Sequence, residues 1–318
     1  MKKILVLGGT GFVGSHVCQR LAALPLRITL PTRRPENAKH LQMLPTVDVM
    51  TADVHDESAL ARLVAGHAAV VNLVAILHGT EASFNRVHVE LPQKLARACQ
   101  AAGVRRVVHV SALGAALDAP SLYQRSKARG EQALKAAGLD VTVLRPSVIF
   151  GEEDKFLNVF ARLQQIFPII PLAAADTRFQ PVWVQDVAQA VVHCLQNPDT
   201  AGQIFDLCGP DVMTLRQLVQ FAGIASGVNH GQGRAVFGLP LALGRVQAAM
   251  MALAPGEPLM SRDNLDSMAV DNTTDGRLPG LAALGITPAS VQAVASGYLG
   301  ERGKRSVFQD LRRSAGRF

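Results

Sequence analysis

The chain is short of charge, of aromatic rings and of cysteine. Only 18% of its 318 residues are charged and 48% are hydrophobic, which excludes a mainly disordered chain and leaves a globular one long enough for one or two domains. Four cysteines, Cys18, Cys99, Cys194 and Cys208, stand far apart with no C-x-x-C pair. No zinc or dithiol motif can be built from them, and free thiols in a reducing compartment are expected. His78, His88 and His109 lack metal-ligand spacing and read as ordinary polar or capping residues; no metal site is expected. No apolar run is long enough for a membrane span; the nearest, Phe237 to Pro255, contains Pro240, Arg245 and Gln247. Lys2 and Lys3 precede an apolar stretch too short for a signal peptide, and glycines stand where a cleavage site would be. A cytoplasmic start is expected. Internal repeats and low-complexity segments are missing.

Net charge is +7, but the last eighteen residues carry six cations against Glu301 and Asp310, a net +4, so the other 300 residues supply +3. That argues for a basic tail, 301–318, and against a nucleic-acid-binding body. Within the tail Val307, Phe308, Leu311 and Ala315 share one helical face beside Arg312 and Arg313. Such a segment either lies on an anionic membrane surface or is a solvated tail. The apolar stretch Leu239 to Ala254 is either a core helix or part of the same attachment.

What is present begins at the first residues. The apolar run Ile4–Leu7 leads directly into Gly8-Gly9-Thr10-Gly11-Phe12-Val13-Gly14. A buried strand, a glycine turn and a helix start in that order form a cradle for a dinucleotide pyrophosphate. Gly8, Gly11 and Gly14 cover three needs: a turn with positive φ, close approach of phosphate to backbone, and close packing of helix on strand. Thr10, Phe12 and Val13 belong to the same loop and to the amides that face the anion.

Strand and helix patterns then alternate. Strands are expected at Arg27–Pro31, Val47–Thr51, Ala68–Val74, Arg106–Ser111, Val141–Leu144 and Ile204–Leu207. Helices are expected at Ser15–Leu24, Glu57–Ala65, Leu91–Ala102, Tyr123–Ala137, Phe156–Phe167 and Leu215–Ala225, with a strand-then-helix unit over Val182–Leu195. Apolar runs without alternation imply a sheet covered on both faces. The fold class is therefore α/β, a doubly wound parallel sheet of the Rossmann type, with a smaller, mainly helical C-terminal substrate region. Residues 1–150 form the nucleotide-binding domain, to which 180–208 return. Residues 151–179 and 209–300 form the substrate region, and from Val228 onward helix and loop are expected.

Tyr123 and Lys127, four apart, share one face of the expected helix. An ammonium beside a phenol lowers the phenol pKa, which suits proton transfer near neutral pH. Ser111 ends the fifth strand at the carboxyl edge of the sheet, where its hydroxyl would hold a substrate carbonyl oxygen. After the second strand stands Thr32-Arg33-Arg34, with no carboxylate before Glu36. Guanidinium groups match a ribose 2′-phosphate, so NADP(H) is expected, with Arg33 and Arg34 as its contacts.

The glycine loop, Asp53-Val54, Ser111, Tyr123-x-x-x-Lys127, Leu144-Arg145-Pro146-Ser147 and Val182-x-Val184-x-Asp186-Val187-Ala188 together resemble the short-chain dehydrogenase/reductase superfamily, in its extended or atypical branch, over residues 1–220. Val87-His88-Val89-Glu90, Ser111 through Ala115 and Arg145 through Phe156 are similar to the group around the nucleotide-binding accessory subunit of mitochondrial complex I and its bacterial relatives, some tied to ubiquinone biosynthesis. The resemblance implies that Gly8, Gly11 and Gly14 hold pyrophosphate, that Asp53 and Val54 lie against adenine, and that Ala75 borders the adenine ribose. It implies Tyr123 as acid/base, Lys127 on the nicotinamide ribose, and Pro146 beside the carboxamide. Three functions stay open. The first is an oxidoreductase acting on a carbonyl or quinone-like small molecule. The second is a non-catalytic NADPH-binding factor of a respiratory or quinone-synthesis complex, peripheral on the inner membrane. The third is an isomerase, epimerase or dehydratase that uses the dinucleotide transiently.

Overall fold

The computed structural model describes residues 1–240, 242–246 and 260–299. The basic tail 301–318 and most of Leu239–Ala254 lie outside the described residues. In chain order the elements are β1 (Lys2–Leu7), α1 (Phe12–Ala22), β2 (Leu26–Thr32), β3 (Val47–Thr51), α2 (Glu57–Val64), β4 (Ala69–Asn72), α3 (Glu81–Asn85), α4 (Leu91–Ala102), β5 (Arg106–Val110), α5 (Leu122–Lys135), β6 (Asp140–Pro146), β7 (Ile149–Phe150), α6 (Leu157–Ile166), β8 (Ile169–Ala173), β9 (Arg178–Phe179), β10 (Val182–Trp183), α7 (Val184–Gln196), β11 (Ile204–Leu207), β12 (Met213–Thr214), α8 (Leu215–Ala225), β13 (Ala235–Leu239), α9 (Arg262–Ser267) and α10 (Val291–Tyr298). The chain forms two units. Met1–Pro146, Val184–Leu207 and Thr274–Thr287 make the first, and the intervening segments with the residues from Pro288 onward make the second.

The first unit is built on a seven-stranded sheet in the order β11-β6-β5-β4-β1-β2-β3, every pair parallel. The fold class read from the sequence is the one observed. Residues Ile4–Leu7 and Ala69–Asn72 are buried on both faces, as a centre covered by helices requires. One face packs Leu5, Leu7, Val70, Val107 and Val143 against Leu60 and Leu63 of α2, Leu91, Leu95 and Cys99 of α4, and Leu134 of α5. Across the sheet α1 lies against α7, tied by Arg20 Nε donating to Gln185 Oε1 at 3.0 Å and by Gln185 Nε2 with His16 Nδ1 at 2.9 Å. Local chemistry sets the helix ends. Asp56 caps α2 through the amides of Ser58 and Ala59, Ser121 caps α5 through that of Gln124, and Gly103 ends α4 at φ 68°. Strand order reverses between β4 and β1, so a crevice opens at their carboxyl ends, where such sheets bind ligands.

The second unit has its own core, in which Leu157 and Ala161 of α6, Leu215, Leu218 and Val219 of α8, and Val291 and Ala295 of α10 surround Phe150, Phe179 and Leu172. It is not helical throughout. The region beyond Val228, expected as helix and loop, contains β13, which pairs parallel with β8 from Ala235↔Ile169 to Leu239↔Ala173. Pro171 sits within β8 because that strand has a partner on one side only. Among the described residues no helix is long and apolar enough to cross a membrane.

Candidate active site

The turn after β1 is shaped by what a side chain would collide with. Gly8 has φ 79°, and a Cβ there would stand 3.0 Å from the backbone of Leu73 and Val74 as the chain leaves β4. A Cβ on Gly14 would stand 2.4 Å from Gly8 O, so only glycine lets α1 start against the turn. Gly9, which the spacing argument passes over, meets side chains only: a Cβ would lie 2.1 Å from Leu30 Cδ1 of β2, which would have to move. Gly11 is the least crowded of the four, its nearest atom being Gly8 O at 3.4 Å. It begins α1 in an extended conformation with no side-chain cap, and no acidic residue stands in the first turn. The amides of Phe12, Val13 and Gly14 there have no intrahelical partner and carry the positive end of the helix dipole. That is the chemistry a pyrophosphate needs.

Beside this turn lies a cleft of about 610 Å³. Its walls are Gly8 and Thr10 from the loop, Pro31 to Arg34 and Asn37 at the end of β2, Ala52, Val54 and His55 after β3, and Val74 after β4. No carboxylate is among them. Arg33 and Arg34 are exposed, and the turn that presents them is fixed by Arg34 N–H donating to Thr32 Oγ1 at 3.2 Å. Burial and the neighbouring Arg86 guanidinium hold the His55 pKa below the usual imidazole range, with Arg33 adding to the effect. Lys94 Nζ donates to His55 O at 2.8 Å, so the cleft is cationic at this end. Asp53 accepts the His55 amide at 3.0 Å through Oδ1. Asp53, Ala75 and Pro146 do not line the cleft.

The second group sits at the carboxyl end of β5. Ser111 follows the strand and is 4% exposed, and its Oγ is a buried hydroxyl with no hydrogen-bond partner among the described residues. Lys127 of α5 is buried, and its Nζ donates to Val110 O at 2.8 Å, one residue from Ser111. Burial lowers Lys127 to about 8, against the opposing pull of Glu131. Glu131 is held mainly by Arg145, which grips it at 2.9 and 2.7 Å with Nε and Nη2. Tyr123 is packed edge-on against Phe84 and His88 with centroids 6.1 and 5.5 Å apart. Its pKa is pushed up to about 12 by burial. The lowering expected from the Tyr-x-x-x-Lys spacing is therefore reversed. Burial is the cause of the rise, and the lysine ammonium donates to the Val110 carbonyl. Pro146 ends β6 next door, its carbonyl accepting the Leu113 amide at 2.9 Å.

The sequence profile described as the NAD dependent epimerase/dehydratase family matches residues 4–208. The chain belongs to that family. It is 31% identical to the mitochondrial NADH dehydrogenase [ubiquinone] 1 alpha subcomplex subunit 9 of Mus musculus, over 90% of this chain and 77% of that one. It is 30% identical to a ceramide reductase of Caulobacter vibrioides over 61% of each chain. Among solved structures, an NADPH-dependent quinone oxidoreductase from Escherichia coli in complex with NADPH superposes with a TM-score of 0.75 at 21% identity, covering 93% of this chain and 99% of that one. That likeness is one of fold. The family binds a nicotinamide dinucleotide.

Several residues of the site are not legible from motif spacing. Pro31, Asn37, Ala52, His55 and Val74 line one cleft only because β4, β1, β2 and β3 end side by side in that order. His88, expected as an ordinary polar residue, lies in the second group against Tyr123. The only sequence signal for it was its place in Val87-His88-Val89-Glu90.

Proposed function

We propose that the protein is an NADP(H)-dependent oxidoreductase that reduces a carbonyl or quinone-like small molecule, with Tyr123 as general acid. The observation that carries cofactor choice is the cleft wall, where Arg33 and Arg34 stand and no carboxylate does. A ribose 2′-phosphate placed there would meet guanidinium groups, whereas a free 2′-hydroxyl would lack the acidic partner it takes in NAD sites. The glycine turn and the α1 amides would hold the pyrophosphate. Bound nicotinamide supplies the hydride.

The protein's own residues handle the proton. Burial keeps Tyr123 protonated, the form that reduction uses, and Tyr123 Oη gives its proton to the substrate oxygen. The buried Ser111 hydroxyl donates a hydrogen bond to the same oxygen. Lys127 Nζ, anchored on Val110 O, keeps two further N–H donors for the ribose and places positive charge beside the phenol as its proton leaves.

A second reading follows from the extent of the likeness to the complex I subunit, 90% of this chain. In it the protein binds NADP(H) without turnover and associates with a respiratory complex at the inner membrane, rather than acting in the cytoplasm. One experiment separates these readings from an isomerase that returns its hydride. The protein is incubated with NADPH deuterated at nicotinamide C4 and with a panel of ketones, aldehydes and menadione. The oxidoreductase reading expects deuterium in the reduced product and one NADPH consumed per product. Product without net NADPH oxidation would favour the isomerase, and an intact, tightly held NADPH with no product would favour the binding protein.

A further inference from the structure

We propose that His88 is a positioning residue for Tyr123, one imidazole ring fixing both the helix that carries the phenol and the loop that leaves β4 beside the nucleotide cleft. The proposal rests on the reading of Tyr123 as the acid. His88 is carried by a π turn, Arg86–Glu90, inserted between α3 and α4; such turns aim side chains that a regular helix would place elsewhere. The ring is 2% exposed, and its Nε2 lies 3.1 Å from the amide of Ile76. An amide can only donate, so Nε2 accepts and the proton of the neutral ring sits on Nδ1. Nδ1 is 2.8 Å from Ser126 Oγ, and Ser126 Oγ in turn donates to Tyr123 O at 2.7 Å. Every proton in this relay from Ile76 to the backbone of Tyr123 has one assignment.

The ring also confines the Tyr123 side chain. It stacks on Phe84 at 5.6 Å and 29°, and both rings meet Tyr123 edge-on. Backbone packing closes the arrangement, for a Cβ on Gly130 of α5 would stand 2.0 Å from His88 O. A glycine in the interior of a 14-residue helix weakens that helix, and here it lets α5 press against the turn bearing His88. Burial, with Lys127 nearby, lowers the His88 pKa to about 2, so the ring stays neutral and keeps this tautomer at any working pH.

The test compares His88→Leu, His88→Asn and Ser126→Ala by NADPH oxidation with menadione and by fluorine NMR of fluorotyrosine-labelled protein. The chain has two tyrosines, Tyr123 and Tyr298, so Tyr298 in the second unit is an internal control. His88→Leu fills the space without hydrogen bonds. It is expected to lower kcat by about 10- to 100-fold while KM for NADPH stays within about threefold, and to shift the Tyr123 resonance but not that of Tyr298. His88→Asn, whose amide can donate to Ser126 Oγ, is expected to recover kcat to within about fivefold, a rescue that a merely space-filling role would not give. Wild-type kcat and an unmoved Tyr123 resonance in His88→Leu would overturn the proposal. Should that variant not fold, Ser126→Ala, which removes one oxygen, is expected to shift the same resonance and lower kcat severalfold, and no change in either would overturn it too. If Tyr123→Phe retains turnover the acid assignment fails, whereas the resonance still decides whether His88 holds the ring.

Discussion

Replacing Tyr123 by phenylalanine is expected to lower kcat by about two to four orders of magnitude and to leave NADPH affinity within about twofold. The substitution removes one oxygen and keeps the ring, so packing against Phe84 and His88 is retained. What is lost is a phenol that burial holds in its protonated form. Lys127 does not replace it, because one Nζ donor is anchored on Val110 O and the other two are assigned to the ribose in the proposed arrangement. The effect is therefore expected in kcat and not in KM for the nucleotide, which the proposed function places at the turn after β1 and the β2 edge. Steady-state NADPH oxidation checks this, and a variant with wild-type kcat would remove Tyr123 from the chemistry.

A second large effect is expected on stability in mild acid. His88 and His109 are each 2% exposed. Burial lowers both pKa values, His88 to about 2 and His109 well below 6.5, with Lys127 adding in each case. His109 Nδ1 accepts from Asn72 Nδ2 at 3.2 Å. In the unfolded chain both rings take a proton near pH 6.5. Below that value the unfolded state binds more protons than the folded state, so stability is complete above about pH 6.5 and falls steadily as the pH drops. At pH 5 the loss is about 2 kcal/mol for each ring, as an upper bound. The carboxylates with lowered pKa values, such as Asp48, Asp56 and Asp140, act only nearer pH 4, so the window between 6.5 and 5 reports the histidines. Thermal midpoints at pH 7.5 and 5.0 test the point. A marked fall is expected, and equal midpoints would mean that these rings are not held neutral.

Much of the first unit was readable before any coordinates, because its signals are local. An unbroken apolar run such as Ile4–Leu7, bounded at once by glycines, reads as a strand covered on both sides, and the glycine turn after it needs no partner to be recognised. What escaped the reading depends on tertiary neighbours. Gly9 packs under Leu30, a residue of another strand. His55 joins the cleft because β3 ends beside β2. The π turn bearing His88 is polar on most sides and shows no helical period. Strand β13 is fixed by a partner more than sixty residues away. The direction of the Tyr123 shift is not legible in the spacing for a related reason. Sequence spacing places the lysine on the right face, but only the packed structure shows how tightly the phenol is enclosed and where Nζ points.

The most direct measurement is a fluorescence titration of the nucleotide-free protein with NADPH and with NADH, repeated on Arg33→Ala. A charge-assisted pair with a phosphate contributes about 1.5–3 kcal/mol. NADPH is therefore expected to bind about 10-fold or more tightly than NADH, and Arg33→Ala to lose about 10- to 100-fold in NADPH affinity with little change for NADH. Equal affinity for the two nucleotides in the wild-type protein, or an Arg33→Ala variant that binds NADPH as well as the wild type does, would contradict the account.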